Sequence, residues 1–293
     1  MPRCVSRRAA IAATLTVLVA ALPGCAGPGD QMSALGYRRE ELCFERNGMR
    51  IYGELFRPRG FEAGETPLVV ISHGFCSSYH DTARDAQRLA AVGIACYVFD
   101  FCGGSPGSSS QGDFLDMSVL TEEADLEAVM GGLREQGLIG EKNLFLMGES
   151  QGGMVSALVA ARRPEDVAGL VLIYPAFSIP DDARERFASK EEVPETAEGL
   201  FGTTVGRRYY ADILDLYPLD LIGAYEGPVR IYHGDADDVV LFSYSERAAE
   251  VYGDAQLTVV AGAGHGFTDE QLDDVCAEVA DFIEGVAARA SVR

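Results

Sequence analysis

Between the apolar run Leu144-Phe145-Leu146-Met147 and a small-residue helical run from Gly153 to Ala161 lies the pentapeptide Gly148-Glu149-Ser150-Gln151-Gly152. Glycines two positions either side of a serine, at a junction of strand and helix, mark a turn too tight for side chains at the flanking positions. Such a turn lifts the serine Oγ clear of the sheet and aims the next backbone N–H at the same point. The run before it reads as a buried strand and the run after it as a helix, so the turn arrives in the context it requires.

The rest of the chain repeats that alternation. Leu68-Val69-Val70-Ile71, Ala95 to Phe99, Leu170-Val171-Leu172-Ile173, Val229-Arg230-Ile231-Tyr232 and Leu257 to Val260 are short apolar strands. Helical patterns lie between and beyond them: Thr82 to Val92, ended by Gly93; Thr121, as cap, to about Gln136; Ser245 to Tyr252; and Asp269 to Ala288. Glu122 and Glu123 in a first turn suit the positive end of the helix dipole. Short strands alternating with helices imply an α/β fold, a mostly parallel sheet covered on both faces. Leu42 to Phe56 reads as two strands joined at Asn47-Gly48, residues that tolerate positive φ. The stretch from Phe177 to Pro218 breaks the alternation. It is polar, carries aromatic rings and is long for a connection, which predicts a cap over the site.

A chain of 293 residues, 47% of them hydrophobic, buries a full core in one domain with an insert. Its formal net charge of -21 excludes binding to nucleic acid or to anionic lipid by charge. Arg3, Arg7 and Arg8 precede an apolar stretch, Ala9 to Leu22, that is short for a membrane span. This layout predicts a signal peptide over residues 1–24 and a tether over 25–39, ahead of a domain at 40–288. Leu22-Pro23-Gly24-Cys25 resembles a bacterial lipobox, with Cys25 as the lipidated residue, and Ser6-Arg7-Arg8 hints at twin-arginine export. The expected location is therefore the bacterial cell surface, with the membrane contacted only through that lipid. The cysteines after residue 25 are scattered, with no C-x-x-C pair and no histidine at zinc spacing, so neither metal nor cofactor is expected. An oxidising compartment would permit a Cys76–Cys102 bridge.

A serine hydroxyl becomes a nucleophile when a base takes its proton, and the base needs an orienting carboxylate. Of four histidines, His73 and His233 end strands and read as loop stabilisers, and His80 lies in a loop. His265, in Gly262-Ala263-Gly264-His265-Gly266-Phe267, follows both the serine and an acidic loop, the chain order this chemistry uses in such folds. That acidic loop, His233-Gly234-Asp235-Ala236-Asp237-Asp238, offers three aspartates, and one turn cannot aim all of them at one ring. Two backbone donors are needed for a developing oxyanion. The N–H of Gln151 follows the serine, and the loop His73-Gly74-Phe75 supplies the second, with Phe75 favoured.

These residues together resemble the α/β-hydrolase superfamily across most of residues 40–288. His73-Gly74-Phe75, Phe99-Asp100-Phe101-Cys102-Gly103-Gly104-Ser105, Ser150-Gln151-Gly152-Gly153, His233-Gly234-x-x-Asp237 and Gly264-His265-x-Phe267 look like its bacterial cinnamoyl (feruloyl) esterase branch. The resemblance implies an α/β-hydrolase fold with a cap insert, about 177–218, after the sixth strand. It implies Ser150, Asp237 and His265 as the triad, with Asp235 as the fallback acid, and Phe75 and Gln151 as oxyanion donors. It also implies Asp182 and Tyr210 as groups that meet a phenolic substrate hydroxyl. Glu149 departs from the branch, which usually has His there. The expected activity is hydrolysis of small-molecule carboxylic esters through an acyl-enzyme, on hydroxycinnamoyl or short acyl groups. The alternatives are a serine peptidase of the same fold and a catalytically silent surface binding protein.

Overall fold

The computed structural model of the chain describes residues 36–140 and 142–291. The leader, Cys25 and the first part of the tether lie outside the described residues. In chain order the strands are β1 (Tyr37–Glu41), β2 (Phe44–Arg46), β3 (Met49–Ile51), β4 (Gly53–Pro58), β5 (Leu68–Ser72), β6 (Ala95–Phe99), β7 (Leu144–Glu149), β8 (Gly169–Ile173), β9 (Thr196–Glu198), β10 (Thr204–Gly206), β11 (Val229–Gly234) and β12 (Ala255–Val260). The helices are α1 (Tyr79–Ala91), α2 (Val119–Glu135), α3 (Gln151–Arg162), α4 (Ile179–Arg186), α5 (Arg207–Ala211), α6 (Pro218–Leu221), α7 (Ser243–Val251) and α8 (Asp269–Ser291).

The main sheet has eight strands in the order β1-β4-β6-β5-β7-β8-β11-β12. From β6 to β12 neighbouring strands run parallel, whereas β1, β4 and β6 pair antiparallel. Side chains alternate across the strands, so each sheet face feeds a different core. Leu68, Val70, Leu144 and Leu146 pack with Leu126, Val129, Val155 and Leu158 of α2 and α3. Val69, Ile71, Phe145 and Met147 face the opposite way, onto Ala86 and Leu89 of α1 and Val275 and Val279 of α8. Both faces are dry, which is why these strands read as unbroken apolar runs.

Local chemistry sets the boundaries. Asn47 (φ 53°) and Gly48 (φ 81°) make the expected hairpin turn between β2 and β3. Helix α1 begins at a capping box in which the Ser78 N–H donates to Asp81 Oδ2 at 3.2 Å, and Gly93 (φ 107°) follows its end. The cap of α2 is Ser118 and not Thr121. Thr121 is the third helical residue, its hydroxyl oxygen accepting from the Ser118 N–H at 2.9 Å. Strand β1 starts at Tyr37, so residues 37–39, expected as tether, form part of an edge strand. Four consecutive charged residues, Arg38 to Glu41, mask its alternation, as suits an exposed edge.

The segment between β8 and β11 leaves the sheet at Ile173, which pairs with Glu149 in the last register step of β7. The departure point is therefore beside Ser150. The segment is not a plain polar connection. Phe177, Ile179, Val193, Val205, Tyr209 and Ile213 are buried and continuous with the core of α2 and α3. Strands β9 and β10 form a separate antiparallel hairpin whose tip holds Leu200 and Phe201. Phe201 has φ 56° and is 72% exposed.

Candidate active site

Ser150 sits between β7 and α3 with φ 52° and ψ −119°, a conformation L residues rarely adopt. The glycines around it are required by contact. A Cβ on Gly148 would lie 2.2 Å from the Gly152 carbonyl oxygen, and one on Gly152 would lie 2.4 Å from the carbonyl oxygens of Ser72 and His73. The turn is pinned by the Ser150 N–H donating to Ile173 O and by the Ala176 N–H donating to Ser150 O, both at 2.9 Å.

His265 is carried on the loop from β12 to α8, where Gly266 takes φ 137°. Its Nε2 lies 2.9 Å from Ser150 Oγ and its Nδ1 lies 2.8 Å from Asp237 Oδ2. With Nδ1–H donating to the carboxylate, Nε2 is the atom free to take the serine proton. The Tyr174 ring packs against the imidazole at a centroid distance of 4.8 Å, and Phe267 packs on Tyr174 at 5.0 Å.

Asp237 follows β11. Its Oδ1 accepts from the N–H groups of Val239 and Val240, each at 2.9 Å. Its Oδ2 faces two rings, His265 Nδ1 and, at 3.2 Å, His233 Nε2. Burial opposes its ionisation, but the hydrogen bonds from His233, His265 and the two amides outweigh that and hold the carboxyl well below the usual range. Asp235 does not meet His265: it is exposed and accepts from the Gly262 N–H at 2.6 Å, bracing the loop that precedes His265. His233 is more than a loop stabiliser. It is fully buried, with Nδ1 2.7 Å from Ser245 Oγ and Nε2 2.9 Å from Val240 O. Nε2–H serves both the carbonyl and Asp237, so Nδ1 accepts from the serine hydroxyl.

The loop after β5 brings Gly74 against Ser150, where a Cβ would meet Ser150 Cβ at 3.2 Å. His73 shapes this loop. Its Nδ1 lies 2.8 Å from Gly74 O, and its Nε2 accepts from the Phe101 N–H at 3.2 Å. Burial pulls the His73 pKa down, in keeping with a neutral ring in those two roles. Among the described residues, no backbone acceptor takes the N–H of Phe75 or of Gln151.

A pocket opens here, lined by Ser150, His265, Phe75, Tyr174, Leu200, Phe201 and Val239, with Ser77 and Glu149 as further polar members. Asp182 and Tyr210 are not among its walls. The Tyr210 hydroxyl donates to Glu198 O at 2.8 Å and accepts from Arg186 Nη1 at 2.5 Å, so it is engaged within the insert. Its neighbour Tyr209 points inward, and its hydroxyl donates to Gln151 Oε1 at 3.0 Å. Adjacent helical residues project about 100° apart, so a one-residue step changes which face is reached. Gln151 Nε2 in turn donates to Glu122 Oε2 at 2.8 Å. Glu122, expected in a first turn that suits the helix dipole, is there but buried, and burial pushes its carboxyl well above the usual range. No periodicity signals that burial. Cys76 and Cys102 are free thiols: Cys102 is buried against Asp125, with its pKa pushed up to about 12. Among the described residues, no group of three or more His, Cys, Asp or Glu is placed to hold a metal ion.

The family model described as serine aminopeptidase, S33 (Hydrolase_4) matches residues 65–213, a span that holds the Gly74 loop, the Ser150 turn and most of the insert. The chain belongs to this family of α/β hydrolases. It is also 25% identical to rat (Rattus norvegicus) monoglyceride lipase over 159 residues, 53% of this chain and 48% of that one. The chain thus spans about half the length of that relative. Among solved structures, Est1E from Butyrivibrio proteoclasticus with ferulic acid bound superposes with a TM-score of 0.75 at 23% identity, covering 84% of this chain and 99% of the other. A monoacylglycerol lipase from Paleococcus ferrophilus gives a TM-score of 0.62 at 18% identity, with 80% and 99% covered. These likenesses are of fold, and they place this hydrolase in the architecture expected of it.

Proposed function

We propose that the protein is a serine carboxylic-ester hydrolase. The observation that carries this reading is the relay from Ser150 Oγ through His265 to Asp237, at 2.9 and 2.8 Å, beneath a pocket of mixed polar and apolar lining. Ser150 Oγ attacks the ester carbonyl as its proton passes to His265 Nε2. Asp237 stabilises the imidazolium, and the Phe75 and Gln151 amides receive the oxyanion. Collapse expels the alcohol with the proton from His265 and leaves an acyl-Ser150. Water then repeats the cycle from the same base.

The acyl group we propose is hydroxycinnamoyl or short. Phe75 and the exposed Phe201 offer ring faces to a flat acyl chain, and ferulic acid is the ligand of the Est1E structure. A panel of acetyl, long-acyl and hydroxycinnamoyl esters, run beside Ser150→Ala, tests both parts. Turnover retained by a folded Ser150→Ala variant overturns the mechanism. Preference for long acyl chains overturns the acyl assignment.

The family's description favours a second reading, an aminopeptidase. Such an enzyme must hold a substrate ammonium, and burial and Asp85 raise the carboxyl on the pocket wall, Glu149, well above its usual range. A carboxyl biased against ionisation is a poor counter-charge for an ammonium, so the ester reading is preferred. Aminoacyl anilides assayed beside the ester panel separate the two.

We further propose that the protein is exported and anchored by lipid on Cys25, a reading that rests on sequence alone. Expression with the leader in a bacterium, followed by mass spectrometry of wild type and Cys25→Ser, tests it. An unprocessed leader on cytosolic protein is the refuting result.

A further inference from the structure

Glu149 is where the chain departs from the branch it resembles, and the structure supplies that residue with a partner. Asp85, on the inner face of α1, is 1% exposed. Its Oδ1 accepts a long contact from the Cys276 thiol at 3.9 Å, and its Oδ2 finds no donor. The carboxyl of Glu149, reaching back from the residue before the nucleophile, is in hydrogen-bond contact with Asp85. Two ionised carboxylates cannot make that bond, because neither carries a hydrogen. The Tyr174 hydroxyl meets Glu149 from the other side, while its ring supports His265 at 4.8 Å.

We propose that Asp85 and Glu149 are positioning residues that share one proton, and that this bond holds Glu149 beneath Ser150 and Tyr174 against His265. The inference rests on the Ser150–His265 reading above and adds a part to it. The other groups facing the pair are consistent with one negative charge on it and not two. From α1, Arg84 and Arg88 favour ionisation and Asp81 opposes it. Arg84 also donates to Phe267 O at 3.3 Å, tying α1 to the stretch just after His265. From α8 comes Cys276 and from β6 Cys96, whose thiols burial raises above their usual range; Asp273 of α8 pairs with Arg88. When the shared proton leaves, the two carboxylates repel one another, the contact opens, and a second negative charge stands beside the developing oxyanion. Both effects slow the acylation step.

The pH dependence of kcat/KM, followed by pH-stat on a short-acyl ester, tests this. In the wild type, activity is expected to fall on the alkaline side as the shared proton leaves, burial and the neighbouring carboxylate having raised the Glu149 carboxyl well above its usual range. Glu149→Gln, whose amide donates to Asp85 as the protonated acid does, has no shared proton to lose and should remove that fall. Asp85→Asn should remove the same limb but run about tenfold slower than Glu149→Gln, because Glu149 then carries the charge alone. A merely structural pair would lower activity while leaving the limb where it was, and that result in both variants overturns the inference. Infrared difference spectra of the wild type provide a readout that needs neither variant to fold. A protonated-carboxyl carbonyl band at neutral pH, bleached on alkalinisation, is expected, and its absence overturns the inference equally. Failure of the underlying reading looks different: Ser150→Ala would then keep its turnover at every pH.

Discussion

The imidazole of His233 and the carboxylate of Asp237 lie 3.2 Å apart with both side chains fully buried, so this carboxylate is held by two histidines. One of them, His265, goes on to Ser150 Oγ; the other ends on Ser245 and the Val240 carbonyl. His233→Gln should therefore slow catalysis without touching substrate. A hydrogen bond to a charged group is worth about 1.5–3 kcal/mol, which corresponds to a fall of about 10- to 100-fold in kcat. Steady-state kinetics should show this with KM little changed. An unaltered kcat would mean that the backbone amides of Val239 and Val240 hold Asp237 unaided.

Ser150→Ala and His265→Ala should each cost on the order of 10⁴-fold or more in rate with the fold retained, since the members of such a relay act as a unit. Asp237→Asn should fall steeply as well, by leaving the ring in the wrong tautomer. Asp235→Asn should be mild, because its carboxylate braces the Gly262 amide and not the imidazole. Matched circular dichroism and turnover measurements check all four. A crippled Asp235→Asn enzyme would reverse the choice of acid.

The two adjacent tyrosines of the insert should behave differently. Tyr209→Phe removes the donor to Gln151 Oε1, loosening an oxyanion residue at a cost of about 0.5–1.5 kcal/mol. Its effect should fall on kcat for every ester. Tyr210→Phe breaks bonds to Glu198 and Arg186 inside the insert, and its effect should fall on thermal stability, equally for acetyl and hydroxycinnamoyl substrates. A KM rise confined to the hydroxycinnamoyl ester would restore Tyr210, and with it Asp182, to the substrate.

Stability should decline as pH rises through neutrality. Burial raises the carboxyl of Asp85 to about 6 and that of Glu123 to about 7. Between the unfolded-state values, near 4, and these folded-state values the native chain holds protons that the unfolded chain releases. Their contribution is thus fully present below about pH 4 and lost as pH climbs through about 6–7. Asp237 acts in the opposite sense, stabilising above its unfolded value and ceasing to do so in acid. Urea midpoints measured between about pH 5 and about pH 8 should fall, and Glu123→Gln should flatten the slope. A midpoint rising over that range would contradict the burial of these acids.

The parts of this molecule that were legible in the sequence are those whose chemistry forces a local pattern. The Ser150 turn needs Gly148 and Gly152 because the backbone passes within 2.4 Å of where a Cβ would stand, and a paired glycine spacing is visible in one dimension. The strands feeding two dry cores are likewise visible as unbroken apolar runs. What was not legible depends on distant partners. Glu122 and Glu123 have the composition of a solvated first turn, and only the approach of Gln151 and Arg162 shows that both are buried. Tyr37–Glu41 gains its strand from β4 and not from its own residues. The pairing of Asp85 with Glu149 spans 64 positions between two elements (149 − 85), and no spacing rule connects them.

The hydroxyl of Tyr209 ends on the side chain of Gln151, the residue that follows Ser150. A foreign segment transplanted in place of residues 177–218 therefore arrives without that fastening unless it brings a donor to the same spot. Rings and loops along the pocket mouth, Leu200 and Phe201 above all, can be exchanged to suit a new acyl group. The position of Tyr209 answers to the catalytic turn and not to the substrate. The border between what can be swapped and what must be inherited runs inside the insert, between two neighbouring tyrosines.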